Sequence, residues 1–266
     1  MATVAPVYEE RRMSIGRVFQ RAFSAISLNP VVILSLALLV GALPGLIMSY
    51  LFYRLGLYSP ATLRSGLISP SGMIAAMFFS SLIVFVISAL VQGALTRATV
   101  LANEGKRATF GESLSAALHV LLPLIGLSIV WAIGVGIGFV LLIVPGIILL
   151  MMWAVAVPAL VVERRGIFES IGRSSELTKG ARWKIFGLCL ILLLIYWFLS
   201  AVIGIVGLGM YNPANPAAFG VANIVGSIIV GTIFNMLWGT IQPSLYVELR
   251  QWKEGDSAQN LAEVFA

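Results

Sequence analysis

The chain has 266 residues, 59% hydrophobic and only 11% charged, against about 25% charged in a typical soluble domain, which excludes an ordinary soluble fold. A mean hydropathy of +1.00 agrees. Seventeen Lys and Arg against eleven Asp and Glu are too sparse for a nucleic-acid surface, the single Cys (Cys189) excludes an intramolecular disulfide, and the single His (His119) excludes a His-rich metal centre.

In chain order, the first predicted element is a helix starting at Ser14, with apolar residues at 15, 18, 19, 22, 23 and 26 and with Arg17 and Arg21 opposite them. Residues 22–53 contain no Asp, Glu, Lys or Arg, and neither do 65–96, 113–162 or 185–247. A helix needs about 20 apolar residues to cross a hydrocarbon core of about 30 Å. The first two stretches therefore hold one span each, over roughly 31–53 and 72–96. No signal-peptide cleavage pattern follows the first, so it reads as a retained span. Tyr50, Tyr53 and Tyr58 at the outer edge, with Trp183 and Trp252 at the inner one, fit interfacial aromatic belts.

A second surface helix opens on the capping box Thr109-x-x-Glu112 and continues its stripe through Leu114, Ala117 and Leu118. Val144-Pro145-Gly146 supplies a tight turn between spans at 121–143 and 145–162. A third surface helix begins at Gly166-Ile167-Phe168-Glu169. Spans at 184–208 and 220–247 follow, joined by the polar, Pro-rich link Tyr211-Asn212-Pro213, and residues 255–266 form a tail.

Six spans with both termini inside place every basic residue except Arg54 and Arg64 on the cytoplasmic side. The expected fold is thus all-α and polytopic, a single membrane domain of six spans with three amphipathic helices lying in the cytoplasmic membrane surface. A unit of surface helix plus hairpin recurs at about 14–107, 109–165 and 166–254. The even spans approach the charged side through Gln92-Gly93-Ala94-Leu95, Val157-Pro158-Ala159-Leu160 and Gln242-Pro243-Ser244-Leu245. The last two continue into Val162-Glu163 and Val247-Glu248, so the expectation is three parallel repeats about an axis near the membrane normal.

The stretches Ile143-Val144-Pro145-Gly146, Val157-Pro158-Ala159-Leu160-Val161-Val162-Glu163, Ser174-Ser175-Glu176-Leu177-Thr178-Lys179-Gly180 and Leu245-Tyr246-Val247-Glu248 carry a family pattern. It resembles the membrane-domain family of bacterial glycerophosphoryl diester phosphodiesterases and related six-span proteins of unknown function. The resemblance implies a multi-pass protein of the bacterial inner membrane. It carries over no catalytic residue, because the family's hydrolase is a separate soluble barrel.

Chemistry is correspondingly sparse. His119 and Asp256 are the only candidates for a Ser-His-Asp arrangement, and no Walker loop or zinc signature occurs. The expectation is no enzyme, no metal and no cofactor. Gly134 and Gly138 form a GxxxG pair for close helix packing. On the last span Asn235, Gln242 and Tyr246 share one helical face, and span two offers Ser88 and Gln92 likewise. These are candidates for a polar interior. Arg164, Arg165, Arg173, Lys179, Arg182 and Lys184 cluster at one membrane surface and are candidates for binding anionic lipid headgroups. The expected role is a non-catalytic scaffold or lipid-associated module, with membrane lipids and a protein partner in the membrane or cytoplasm, and no nucleic acid. The rival is a permease or channel for a neutral or amphipathic solute through the polar interior.

Overall fold

A computed structural model describes residues 13–41, 46, 70–209 and 216–264. Among the described residues every regular element is a helix: α1 (Ile15–Leu28), α2 (Pro30–Gly41), α3 (Pro70–Asn103), α4 (Phe110–His119), α5 (Leu121–Leu141), α6 (Ile143–Met152), α7 (Ala156–Glu163), α8 (Ile167–Thr178), α9 (Arg182–Gly209) and α10 (Pro216–Val264). Five of the segments are long and apolar enough to cross a bilayer, or six if the bent α1–α2 pair counts as one. That is compatible with a multi-pass membrane protein. Tyr50, Tyr53, Tyr58, Arg54, Arg64 and the 211–213 link lie outside the described residues.

The bend between α1 and α2, 98°, follows from Asn29-Pro30. A residue before proline is disfavoured in the α region, and Pro30 itself suits the first turn of a new helix. Asn29 adopts φ −131°, ψ 53° and is buried, and its side-chain carbonyl accepts the Ala108 N–H at 3.1 Å. The corner is thereby fastened to the loop between α3 and α4. At the start of α4, Thr109 accepts the Glu112 N–H at 3.2 Å, as the capping pattern predicts, and at the start of α8 Glu169 accepts the Gly166 N–H at 3.3 Å.

Three hairpins make up the body: α2 with α3, α5 with α6, and α9 with α10. The first helix of each also packs on a neighbouring hairpin, α2 on α10, α5 on α3 and α9 on α6, so the hairpins close on themselves. Between them α3, α7 and α10 meet, and the short helices α1, α4 and α8 lie against α10, α3 and α7 respectively. Outward faces stay apolar: Leu122, Val140, Ile205 and Leu208 are each at least 70% exposed.

The elements depart from sequence expectation in four places. Helix α3 runs on past Thr96 to Asn103 and ends where Gly105 takes a left-handed φ of 75°. The turn between α5 and α6 is at Leu142, extended at φ −163°, so Pro145 falls inside the first turn of α6 where no N–H is needed. Residues 255–264, expected as a tail, continue α10 without interruption, since after Pro243 no proline breaks the run. The fourth is a break in the span at 143–163, described below.

The GxxxG glycines work at this turn. A Cβ on Gly138 would sit 2.9 Å from the Gly146 Cα and 3.1 Å from its N, so the two backbones touch. A Cβ on Gly134 would sit 2.4 Å from the Trp153 ring. The Gly138 neighbour is backbone and cannot rotate aside. We expect Gly138→Ala to destabilise the hairpin by about 1–3 kcal/mol, the usual range for overpacking, read as a lowered thermal unfolding midpoint in detergent. A midpoint unchanged from wild type would contradict the close approach.

Candidate functional site

The site begins with a proline. Pro158 has no N–H, so the Ala154 carbonyl loses its helical partner, and the proline ring crowds that same carbonyl. The helix breaks at Trp153-Ala154-Val155 and restarts as α7, with Pro158 in its first turn, where the missing N–H does no harm.

Within a bilayer the freed groups must find partners inside the protein. The Ser174 hydroxyl donates to the Met152 carbonyl at 2.8 Å and accepts the Val155 N–H at 3.2 Å. The Thr178 hydroxyl donates to the Ser174 carbonyl at 2.9 Å and lies 3.3 Å from the Met152 carbonyl as well. The Ala154 carbonyl accepts from Gln242 Nε2 at 2.7 Å, and Gln242 Oε1 accepts from Gln92 Nε2 at 2.5 Å. Two amides from α3 and α10 thus meet at the break between α6 and α7.

Beside this chain of hydrogen bonds lies a cavity of about 360 Å³, open on one side, between α3, α5, the break and α10. Ser88, Gln92, Asn235 and Gln242 line it, and Phe85, Trp131, Trp153 and Trp238 give it aromatic walls. Its volume falls within the range of small-molecule sites, and so does its chemistry, apolar walls with a few convergent polar groups. The Asn235 amide donates to the Gly231 carbonyl at 2.8 Å, which leaves its oxygen free to accept. Gln92 lies five residues before Arg97, about 8 Å of helix, so the cavity sits in the half of the spans nearest the charged end.

Four of the five expected polar-interior residues therefore line one cavity. Tyr246 does not. It is 1% exposed and turned toward the charged end, where its hydroxyl donates to Glu163 Oε1 at 2.8 Å.

The charged end is organised around two carboxylates. Glu248, 3% exposed, accepts from Arg17 Nε at 2.6 Å, Arg21 Nε at 3.3 Å and the Ser14 N–H at 3.3 Å. Glu163 holds Arg173 at 2.9 Å and Arg165 at 2.6 Å, and Arg173 reaches Glu254 as well. Burial opposes the Arg173 cation, and the Glu254 and Glu163 carboxylates more than offset it and raise its pKa.

The six basic residues expected to form one headgroup patch are thus divided. Arg165 and Arg173 neutralise Glu163, and Lys184 donates to the Met13 carbonyl at 2.6 Å. Arg182 has its Nε buried without a hydrogen-bond partner. Only Arg164 and Lys179 extend exposed and unengaged. Sequence reasoning missed the helix break and the Ser174 and Thr178 clamps; Pro158 is the signal that marks them.

Among the described residues no group of three or more His, Cys, Asp or Glu could hold a metal. The fold and the cavity define the class: an all-helical chain, compatible with a multi-pass membrane protein, with an open cavity beside a discontinuous helix. No protein-family model, no curated protein and no solved structure matches the chain.

Proposed function

We propose that the chain is a non-catalytic, lipid-associated module of the bacterial inner membrane, with both termini cytoplasmic, that houses an uncharged or amphipathic molecule in the cavity beside the broken helix. The cavity itself carries the reading, because three amides and two serines converge on aromatic walls between span-length helices. Among the described residues no charged side chain lines it, so they offer an ion or a strongly charged solute no counter-charge there. The resemblance to the membrane domain of the glycerophosphoryl diester phosphodiesterases, a family that handles lipid-derived compounds, favours an amphipathic occupant. The same resemblance favours a protein partner that supplies any chemistry.

The threefold-repeat reading draws support from the charged end. The short helix of the second unit meets the closing span of the first through Glu112 and Arg97, 3.6 Å apart. That of the third unit meets the second through Arg173 and Glu163, and that of the first meets the third through Arg17, Arg21 and Glu248. Each unit clasps its predecessor, as parallel repeats about one axis would. Phe23, Leu118 and Phe168, one on each short helix, are more than half exposed, which suits helices lying on a membrane surface with apolar side chains toward lipid.

Intact mass measurement of the protein released gently from detergent tests the occupant. Wild type should retain a bound molecule, and Ser88→Trp, which fills the cavity, should lose it. Equal retention by both would contradict the reading. The broken helix also favours a second reading, passage rather than storage, since discontinuous spans recur at transport sites. Release of a preloaded amphipath from proteoliposomes, faster with wild type than with Ser88→Trp, would select it.

A further inference from the structure

The junction between α3, α4 and α7 differs from the other two in its charge. At Glu248 and at Glu163 each guanidinium that reaches the carboxylate is held at 3.3 Å or closer. At the third junction Arg97 reaches only Glu112, at 3.6 Å, with both side chains at least 40% exposed. Arg164 has no hydrogen-bond or ion-pair partner among the described residues. These two cations face one cavity of about 370 Å³, together with His119 and Glu112.

Two further features of the cavity point to a ligand. Arg164 caps α7 at φ 51°, and it is the only residue other than glycine with positive φ among the described residues. That left-handed conformation is unfavourable for any side chain with a Cβ, and glycine is the usual choice there. A strained backbone that sets a free guanidinium on a cavity wall is a device for holding charge in place. The second feature is that Val161 and Val162 line the same cavity as the two cations, while Leu118 and Leu122 beside His119 are 52% and 81% exposed. Cationic and apolar side chains lining one cavity match a phosphate ester at the boundary of water and hydrocarbon.

We infer that Arg97 and Arg164 form a binding site for a phosphate group. The ring Nδ1 of His119 donates to the Ser115 carbonyl at 2.7 Å, which leaves Nε2 of the neutral ring without a proton for a phosphate oxygen, so the two guanidiniums supply the donors. Among the described residues Glu112 is the one acid lining the cavity, and phosphate would displace its long contact with Arg97. Guanidinium is suited to this chemistry because its planar fork donates two parallel hydrogen bonds to phosphate oxygens. The inference is independent of the intramembrane cavity, which is lined by different residues. It narrows the headgroup surface expected from sequence to Arg164 and adds Arg97, which that expectation omitted.

The full chain, purified in detergent and stripped of lipid, is titrated with phosphatidylglycerol and weighed intact. One tightly retained lipid is expected. Arg164→Gln should lower its retention about tenfold, the loss of a charge-assisted hydrogen bond. Lys179→Gln removes the same charge from another exposed site and should leave retention within about twofold, because screened surface charge contributes little at a distance. An equal fall in both variants would mean diffuse electrostatic attraction and overturn the site, and no fall with Arg164→Gln would overturn it as well.

Arg164→Gly separates binding from stability: it relieves the backbone, so the thermal midpoint should hold or rise while the lipid is lost. Retention of the lipid by that variant contradicts the inference. Millimolar inorganic phosphate distinguishes the source. Retained phosphatidylglycerol that phosphate does not displace assigns the site to a lipid headgroup. A midpoint raised by phosphate alone, abolished by Arg164→Gln, assigns the same residues to a soluble phosphate. Neither response in wild type overturns the site.

Discussion

Replacing both Arg17 and Arg21 with alanine should destabilise the protein by about 3 kcal/mol, because it strands a buried carboxylate. The Glu248 side chain is only 4% exposed, and two guanidiniums from α1 supply its side-chain counter-charge. After the double substitution only the Ser14 N–H, at 3.3 Å, remains on it among the described residues. The lower end of the usual range for such a loss applies, since Arg17 is itself 42% exposed and partly hydrated.

Glu248→Gln should cost less, about 1 kcal/mol, because an amide still accepts from Arg17 and both guanidiniums can turn to water. The order of the two effects is the informative result. Thermal unfolding in detergent should rank wild type above Glu248→Gln and both above the double arginine variant. The reverse order would mean that Glu248 is solvated by something other than α1.

The second large effect is expected at the helix break. Ser174→Ala combined with Thr178→Val removes the Ser174 donor to the Met152 carbonyl, the longer Thr178 contact with it and, among the described residues, the only acceptor of the Val155 N–H. Both side chains are fully buried. Two orphaned backbone groups at about 1–3 kcal/mol each would suggest up to about 6 kcal/mol. Hydrogen bonds in membrane proteins average nearer about 0.6 kcal/mol. An intermediate loss of about 2 kcal/mol is therefore expected. The helix cannot simply heal, because Pro158 offers no N–H to the Ala154 carbonyl whatever α8 does. The variant should also bind less in the cavity, since Trp153 forms part of its wall. A stability equal to wild type would show that the break is held by other contacts.

Much of the fold is legible because charge is so costly in hydrocarbon. The four charge-free stretches mark the helical bodies, and the stripe of Asn235 and Gln242 on the last span, with Ser88 and Gln92 on the second, marks the cavity wall. Thr109 and Glu112 mark a helix start that the structure bears out through the Thr109 side chain.

The less legible features are long-range. That Arg173 and Arg165 would be absorbed by Glu163 depends on α8 lying against α7, and no local pattern states which cation finds which acid. Tyr246 shares its helical face with Gln242, yet one turn further along it has already reached the ionic end and serves Glu163 instead. The break at Trp153–Val155 was written in Pro158, but Pro243 sits in α10 without ending it. The difference is the partner. Ser174 and Thr178 capture the opened turn at Met152 and Val155, so a proline there becomes a break rather than an interruption.

The central claim is that the intramembrane cavity receives a particular uncharged or amphipathic molecule, and site-specific photo-crosslinking in intact membranes tests it most directly. Benzoylphenylalanine is placed in turn at Phe85, on the cavity wall, and at Phe198, which is 69% exposed on α9 and does not line the cavity. The account predicts that Phe85 captures one molecular species in excess over its share of the membrane, and that adding Ser88→Trp abolishes this capture, while Phe198 samples bulk lipid. The same bulk lipid distribution at both positions, unaffected by Ser88→Trp, would contradict it.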